Sequence, residues 1–303
     1  MRALTVNGVA IDDTFAEAFD MRATAIVITA PTMRWATQAA TTMTGFATSV
    51  IGCGCEAGVE SLRSSRETPD GRPGVRVLLF AVSTTELQKQ LQNRVGQCVL
   101  TSPGSACYAG LEAGEDTLKL GAAIRFFGDG WQIAKRLGYR RYWRVPVMDG
   151  EFVCESTTPL TKSAVGGGNL IVMGASAAKT LAATEAAVKA MRAAGDVIMP
   201  FPGGIARSGS KVGSKYNGAS ASTNDAYCPT LRGAVETALG PEIVSVLEIV
   251  IDGLSSDAVA RAMRAGLAAI IELGPERGAS RVGAGNYGGK LGRHHYHLKD
   301  LLP

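Results

Sequence analysis

Long apolar runs are missing from this 303-residue sequence. No stretch approaches the roughly 18 residues that a membrane-spanning helix requires, so no membrane span is expected. The opening Met1-Arg2-Ala3-Leu4 soon reaches Asp12-Asp13 without an apolar segment between, so no export signal is expected either. A cytoplasmic setting follows, in which the six cysteines stay reduced. Metal spacing is also lacking. Cys53 and Cys55 form a lone C-x-C with no second pair, and Cys98, Cys107, Cys154 and Cys228 are scattered, which favours structural thiols. Only three histidines occur, His294, His295 and His297. Strand alternation would put His295 and His297 on one face, but no nearby carboxylate pattern completes a metal site, and no metal is expected. The formal net charge of +4 comes without any long Lys/Arg run, so nucleic acid is not an expected partner.

What the chain does have is a globular composition: 46% hydrophobic and 19% charged residues, enough to bury a core and too few charges for disorder. Its glycines often come in clusters, at 166–168, 203–204 and 288–289. Such clusters mark tight turns or places where backbone closely approaches a ligand, and both readings stay open.

The strongest pattern is an internal duplication. Residues 24–30 read as a buried strand followed by a helix from about Met33 to Thr44; residues 169–173 read as a strand followed by a helix from about Ser176 to Ala194, closed by Gly195. Residues 76–82 read as a strand, after which Ser83 and Glu86 have the spacing of a capping box for a helix to about Val95, with residues 96–100 resuming as a strand. Residues 246–251 read as a strand whose following helix is capped at Ser255 and Ser256. The expected fold is therefore α+β, with two similar lobes at 1–150 and 151–303. Each would be a ferredoxin-like sandwich, a split βαβ with helices on one face of a mainly antiparallel sheet.

Three loops and one strand residue are candidates for chemistry. In residues 67–74, Arg72 sits between prolines on a stiff loop, able to offer a fixed fork to a carboxylate or to remain a solvated surface side chain. Residues 200–205 run into residues 208–215, where Ser208, Ser210, Ser214, Lys211 and Lys215 with two glycines resemble an anion-binding loop. The G-x-x-x-x-G-K-[ST] spacing is not met, so acidic groups on a large substrate are better candidates than a nucleotide. In residues 221–230, Ser222, Asn224 and Asp225 offer hydrogen bonds to a heterocycle, or simply an Asx turn before Pro229. Glu248 lies inside an apolar run from Ile243 to Ile251 that reads as a central strand buried on both faces. Desolvation there raises a carboxyl's pKa and suits it to act as a general acid or to donate to a developing oxyanion. The alternative is an inward charge that blocks edge aggregation.

Residues 13–19, 44–51, 67–74, 126–130, 200–205, 222–229 and 283–292, taken in order and at their spacing, resemble the formylmethanofuran–tetrahydromethanopterin formyltransferase family nearly end to end. The resemblance implies a two-lobed α/β fold, homotetramers with the active site at subunit contacts, and a protonated catalytic glutamate falling on Glu248. It is similar in particular to the family's bacterial branch in methylotrophs, whose members serve as one subunit of a formyltransferase/hydrolase complex in the oxidation of formaldehyde to formate. Implied substrates are methanofuran and tetrahydromethanopterin, or a dephospho analogue, with no tightly bound cofactor. Arg72, Lys211, Ser214, Lys215, Ser222, Asn224 and Asp225 are expected to hold the carriers. Two other readings remain: a non-catalytic subunit that docks formyl-pterin for a hydrolase, and a nucleotide-binding enzyme using the 203–215 loop.

Overall fold

The computed structural model describes residues 4–209, 211, 213–219 and 221–303. The expectations resting on Met1–Ala3, Ser210 and Val212 lie outside these residues. The chain forms two units. One comprises Asp20–Ala164; the other joins the residues through Phe19 to Val165–Pro303. Two long strands, β1 (Phe15–Thr29) and β5 (Thr157–Gly174), contribute to both.

In the Asp20–Ala164 unit, β1 leads into α1 (Met33–Thr44), then β2 (Glu56–Arg63), β3 (Gly74–Ala81), α2 (Thr84–Arg94) and β4 (Ala106–Ala109). β3 pairs antiparallel with both β1 and β2, and β4 pairs antiparallel with the other edge of β1. The sheet order β4-β1-β3-β2 with two crossover helices is the ferredoxin-like arrangement. Thr32 caps α1 by accepting from the Trp35 amide, and Ala36, Ala39, Ala40 and Met43 give it a buried face of small side chains. Ser83 caps α2 through the Glu86 amide. The return half of the expected capping box is not formed, because Glu86 Oε1 accepts from Gln90 instead.

Residues 96–100 do not resume as a strand. They form a widened helical turn, Val95–Val99, that prolongs α2. Leu87, Leu91, Val95 and Val99 are all fully buried, and their four-residue spacing keeps one apolar stripe facing the core. That stripe outweighs the short β-like composition of the segment.

The other unit repeats the plan. β5 is followed by α3 (Ala177–Ala193), β6 (Val197–Ile198), β7 (Ser245–Gly253), α4 (Ser256–Arg277) and β8 (Arg281–Gly283). β7 pairs antiparallel with β5 and β6, and β8 pairs with the other edge of β5. The order β8-β5-β7-β6 matches the first sheet strand for strand, so Val77 and Val246 sit in corresponding strands. The expected duplication is present, and the helices cover one face of each sheet. Ser255 caps α4 through the Ala258 amide. α3 and α4 pack Ala183, Ala187, Met191, Met263 and Leu267 against Ile249 and Ile251 of β7. The last strand, β9 (His294–His297), pairs antiparallel with the start of β1 and folds the histidines against Phe15, whose ring lies 4.9 Å from that of His295 and 5.0 Å from that of His297. No helix among the described residues is long and apolar enough to cross a membrane.

The duplicated core makes a direct prediction. Leu267 is fully buried between α4 and the sheet. Leu267→Ala should cost roughly 2–5 kcal/mol, read as a lowered midpoint in urea unfolding with the far-ultraviolet circular dichroism of the folded form unchanged.

Candidate active site

The helix-covered face of β7 carries Leu247, Ile249 and Ile251; the opposite face carries Val246, Glu248 and Val250, by simple alternation. Glu248 was expected to be buried on both sides. It is half-buried instead, because β7 is flanked along its length by β5 but by β6 at only two residues. The missing strand is replaced by the 200–209 segment. Ala206 and Glu248 exchange backbone hydrogen bonds at 2.8 and 2.9 Å, which draws that segment along β7. Gly209 then passes so closely that an added Cβ would lie 3.0 Å from the Asn224 Cβ and 3.8 Å from Oε2 of Glu248.

The result is a cavity of about 100 Å³ with Glu248 in its wall. Asn169 and Ile171 of β5, Asn224, Tyr227, Arg207 and Tyr287 complete the part of the lining that carries chemistry. No described residue hydrogen-bonds the Glu248 carboxyl. Its surroundings remove water without supplying a counter-charge, and burial raises its pKa from 4.5 to about 7. Tyr227 packs against the small apolar cluster of Ile171, Met173, Leu239 and Ile243 on this face. Burial raises the phenol's pKa, and the carboxylates of Asp12 and Glu248 push it further while Arg281 opposes them. Asn169 is a strut: its side-chain amide donates to the Gly285 carbonyl at 3.1 Å, and its Oδ1 accepts from the Gly285 amide at 2.6 Å, fixing the C-terminal loop to β5.

Of the eight residues singled out in the sequence, Glu248 and Asn224 line the cavity together. Lys211 and Asp225 are neighbours of each other, joined by a 2.6 Å ion pair, and the ammonium holds the Asp225 carboxyl below its ordinary range. Ser214 accepts from the Tyr216 amide, while Lys215 and Ser222 are exposed. Arg72 belongs to the Asp20–Ala164 unit, and its guanidinium is engaged at home. It binds Asp70 at 2.8 Å, the Gly104 carbonyl at 2.5 Å and Thr29 at 3.0 Å, making the stiff loop self-supporting. Sequence reasoning assigned no role to Tyr227, Arg207, Asn169 or Tyr287. Tyr227 and Tyr287 nevertheless fall in two of the segments that carry the resemblance. Among the described residues, no group of three or more His, Cys, Asp or Glu is placed to hold a metal ion.

A carboxyl that shares its proton near neutrality, beside a phenol and an amide in a partly dry pocket, can give up or accept a proton. It can also stabilise charge on a carbonyl oxygen. The fold and pocket thus define a two-lobed α+β protein with a desolvated carboxyl in the wall of a polar pocket.

The relatives say which kind. A family model described as formylmethanofuran-tetrahydromethanopterin formyltransferase matches residues 4–147, and the proximal-lobe model of the same family matches residues 150–301. The chain belongs to that family. It is 60% identical to the formylmethanofuran–tetrahydromethanopterin formyltransferase of Methylococcus capsulatus, over 99% of this chain and 100% of the relative. It is 59% identical to a subunit of the formyltransferase/hydrolase complex of Methylorubrum extorquens, covering 100% and 98% of the two chains. The crystal structure of that organism's formyltransferase/hydrolase complex with methylofuran contains a chain that superimposes with a TM-score of 0.97, with 100% of this chain and 99% of that one covered at 59% identity. The formyltransferase of Methanosarcina barkeri superimposes at 0.92 with 42% identity, over 98% and 100% of the two chains.

The raised pKa of Glu248 has a consequence for stability. The contribution tied to the neutral carboxyl is fully present below pH 4.5 and is lost as the pH rises through about 7. Glu248→Gln should therefore gain on the parent protein across that window, by at most roughly 3 kcal/mol, and match it more closely at lower pH. Urea unfolding at a series of pH values measures the difference.

Proposed function

We propose that this protein transfers a formyl group between methanofuran and tetrahydromethanopterin, or a dephospho analogue, within the oxidation of formaldehyde to formate. Membership of the family along both lobes supports the transfer itself. The single observation that carries the mechanism is the carboxyl of Glu248, desolvated at the wall of a polar pocket and without a hydrogen-bond partner among the described residues.

On this reading the amine nitrogen of the accepting carrier attacks the formyl carbon and a C–N bond forms. The formyl oxygen takes on negative charge. Neutral Glu248 meets that charge by donating a hydrogen bond or its proton, and the phenol of Tyr227 supplies a second donor from the same wall. The tetrahedral adduct then collapses: the carbonyl is restored, the original C–N bond breaks, and the departing amine takes up the proton that the attacking amine has lost. Glu248, with a pKa near the working pH, is suited to both halves of this exchange. No tightly bound cofactor is called for, because the formyl group arrives activated on its carrier. Asn224 and the exposed Arg207 are placed to orient polar parts of a carrier in the pocket. Arg72, Lys211, Ser214, Lys215, Ser222 and Asp225 remain proposed carrier contacts on the outer loops; for Arg72, Lys211 and Asp225 that role requires existing pairs to open.

The Methylorubrum relative supports assembly with hydrolase subunits, with or without a homotetramer of this chain. Six cysteines carried as thiols suit a cytoplasmic setting. The same relative is the observation behind a second reading, a docking subunit without activity of its own. Purified protein incubated with both carriers separates the two.

Glu248→Gln should fold normally and lower kcat on the order of 100-fold with little change in KM. Turnover at the parent rate would remove Glu248 from the mechanism. Tyr227→Phe keeps the ring in its apolar cluster and should lower kcat by roughly tenfold; steady-state kinetics with formylmethanofuran as donor reads both variants.

A further inference from the structure

Glu17 is an acidic side chain with 1% of its surface exposed, and nothing in the transfer chemistry uses it. It lies on β1, opposite His295 of β9. Its two oxygens accept four backbone hydrogen bonds from one loop. Oε2 accepts from the amides of Tyr287 at 2.6 Å and Gly289 at 2.8 Å. Oε1 accepts from Leu291 at 2.7 Å and Gly292 at 2.6 Å. The Glu17 backbone amide also donates to the Gly285 carbonyl at 3.1 Å. The loop between β8 and β9 has no helix or strand of its own; Asn169 ties its start at Gly285, Asn286 donates to Thr14 and Phe15, and the Glu17 bonds shape the rest from Tyr287 to Gly292. Gly292 has to be small: a Cβ there would meet the Ala18 carbonyl oxygen at 2.4 Å and Glu17 Cγ at 2.9 Å.

The same loop supplies Gly285, Asn286 and Tyr287 to the wall of the Glu248 pocket. We propose that Glu17 is a positioning residue for formyl transfer: its carboxylate clamps the 285–292 loop over the pocket and so keeps the Glu248 carboxyl in a fixed, poorly hydrated site. This rests on the role of Glu248 proposed above.

The clamp does not titrate in the working range. Burial works to raise the Glu17 carboxyl, but the amides of Gly292, Tyr287, Leu291 and Gly289 outweigh it and hold it at about 2. The groups that do face Glu248 are Arg207, Tyr227 and Tyr287 in the lining, with the Asp12–Arg281 pair beyond Tyr227 and the Lys211–Asp225 pair on the adjoining loops. Of these only Tyr287 rides on the clamped loop, and Glu17→Asp keeps the charge at residue 17, so a shift in the pH profile shared by the glutamine and aspartate variants reports on the loop and not on the lost charge.

Glu17→Gln leaves two amides without an acceptor and sets an NH₂ group against them. In the full-length protein, hydrogen exchange at Tyr287, Gly289, Leu291 and Gly292 should accelerate by roughly a hundredfold while the β5 and β7 amides stay protected. The kcat/KM for transfer from formylmethanofuran should fall roughly 10- to 100-fold, and the pKa in the rate profile should move down from about 7 toward the ordinary carboxylate range. Glu17→Asp keeps the charge but shortens the reach, so it should fall between the two, and it serves as the test if the glutamine variant does not fold. Released loop amides with unchanged kcat/KM and an unchanged pH profile would overturn the proposal, leaving Glu17 as a brace for the fold alone. Failure of the underlying reading looks different: Glu248→Gln would then turn over at the parent rate whatever Glu17 does.

Discussion

The proposed chemistry rests on one physical constraint: water is withheld from the Glu248 carboxyl, and no described residue is placed to bind it. A carboxylate in a protein is ordinarily paired with a cation or bound by amides, and either arrangement lowers its pKa. The chain contains examples of both: Asp225 against Lys211, and Glu17 under four amides. Glu248 has neither. Val246, Ile171 and Tyr227 crowd its face of the sheet, and Arg207, the nearest cation in the lining, is exposed and forms no ion pair with it. Desolvation is the only cause acting on its pKa, and it acts alone because the fold keeps the compensating groups elsewhere. A single hydrogen-bonded cation at that wall would return the carboxyl to an ordinary anion.

The duplicated frame makes this arrangement possible. In both units the helices bury one face of the sheet, and the core of the second unit is complete on that side with Ile249 and Ile251 fully buried. The opposite face of β7 is thereby released from packing duty. In the ferredoxin-like plan β6 would flank β7, but here β6 contributes only two residues and the chain makes a long excursion from residue 199 to 244 before returning. That excursion covers the open face with loops rather than with a strand. Loops can carry Asn224, Tyr227 and Arg207 to the carboxyl without filling the space beside it, which is what a ligand pocket requires.

Much of the frame could be read from the sequence, because it is set by local periodicity and capping. α1 begins and ends where the apolar spacing placed it, and Ser83 and Ser255 cap the helices they precede. Glu248 was legible for a similar reason: one charge in a run of β-branched and aliphatic residues has few structural explanations. The widened turn at Val95–Val99 was not, since a five-residue apolar segment has no period long enough to separate strand from helix. The surroundings of the loop residues were not legible. Arg72, Lys211 and Asp225 were assigned to a ligand, and each also has partners within the chain: Arg72 binds Asp70 in its own loop and Thr29 and Gly104 from remote segments, and Lys211 and Asp225 bind each other. Tyr227 and Asn169, which do reach the pocket, carry no charge and gave no signal in a single sequence beyond their place in characteristic segments.

Glu17 extends this point to the relation between stability and function. Its environment was not legible in the sequence: Glu17 falls in the 13–19 segment that carries the resemblance, but nothing there separates a solvated glutamate from a buried one. Its burial is tolerated because the 285–292 loop turns its amides inward to meet it, a geometry possible only where Gly292 removes the Cβ that would collide with β1. Two carboxyls of the same unit are therefore held at opposite ends of the titration range, one at about 2 and one at about 7, by one loop and one strand. The amides that make the first a permanent anion are on the loop that shields the second. Without those hydrogen bonds burial would raise the Glu17 carboxyl, and amides set against Glu248 would lower that one.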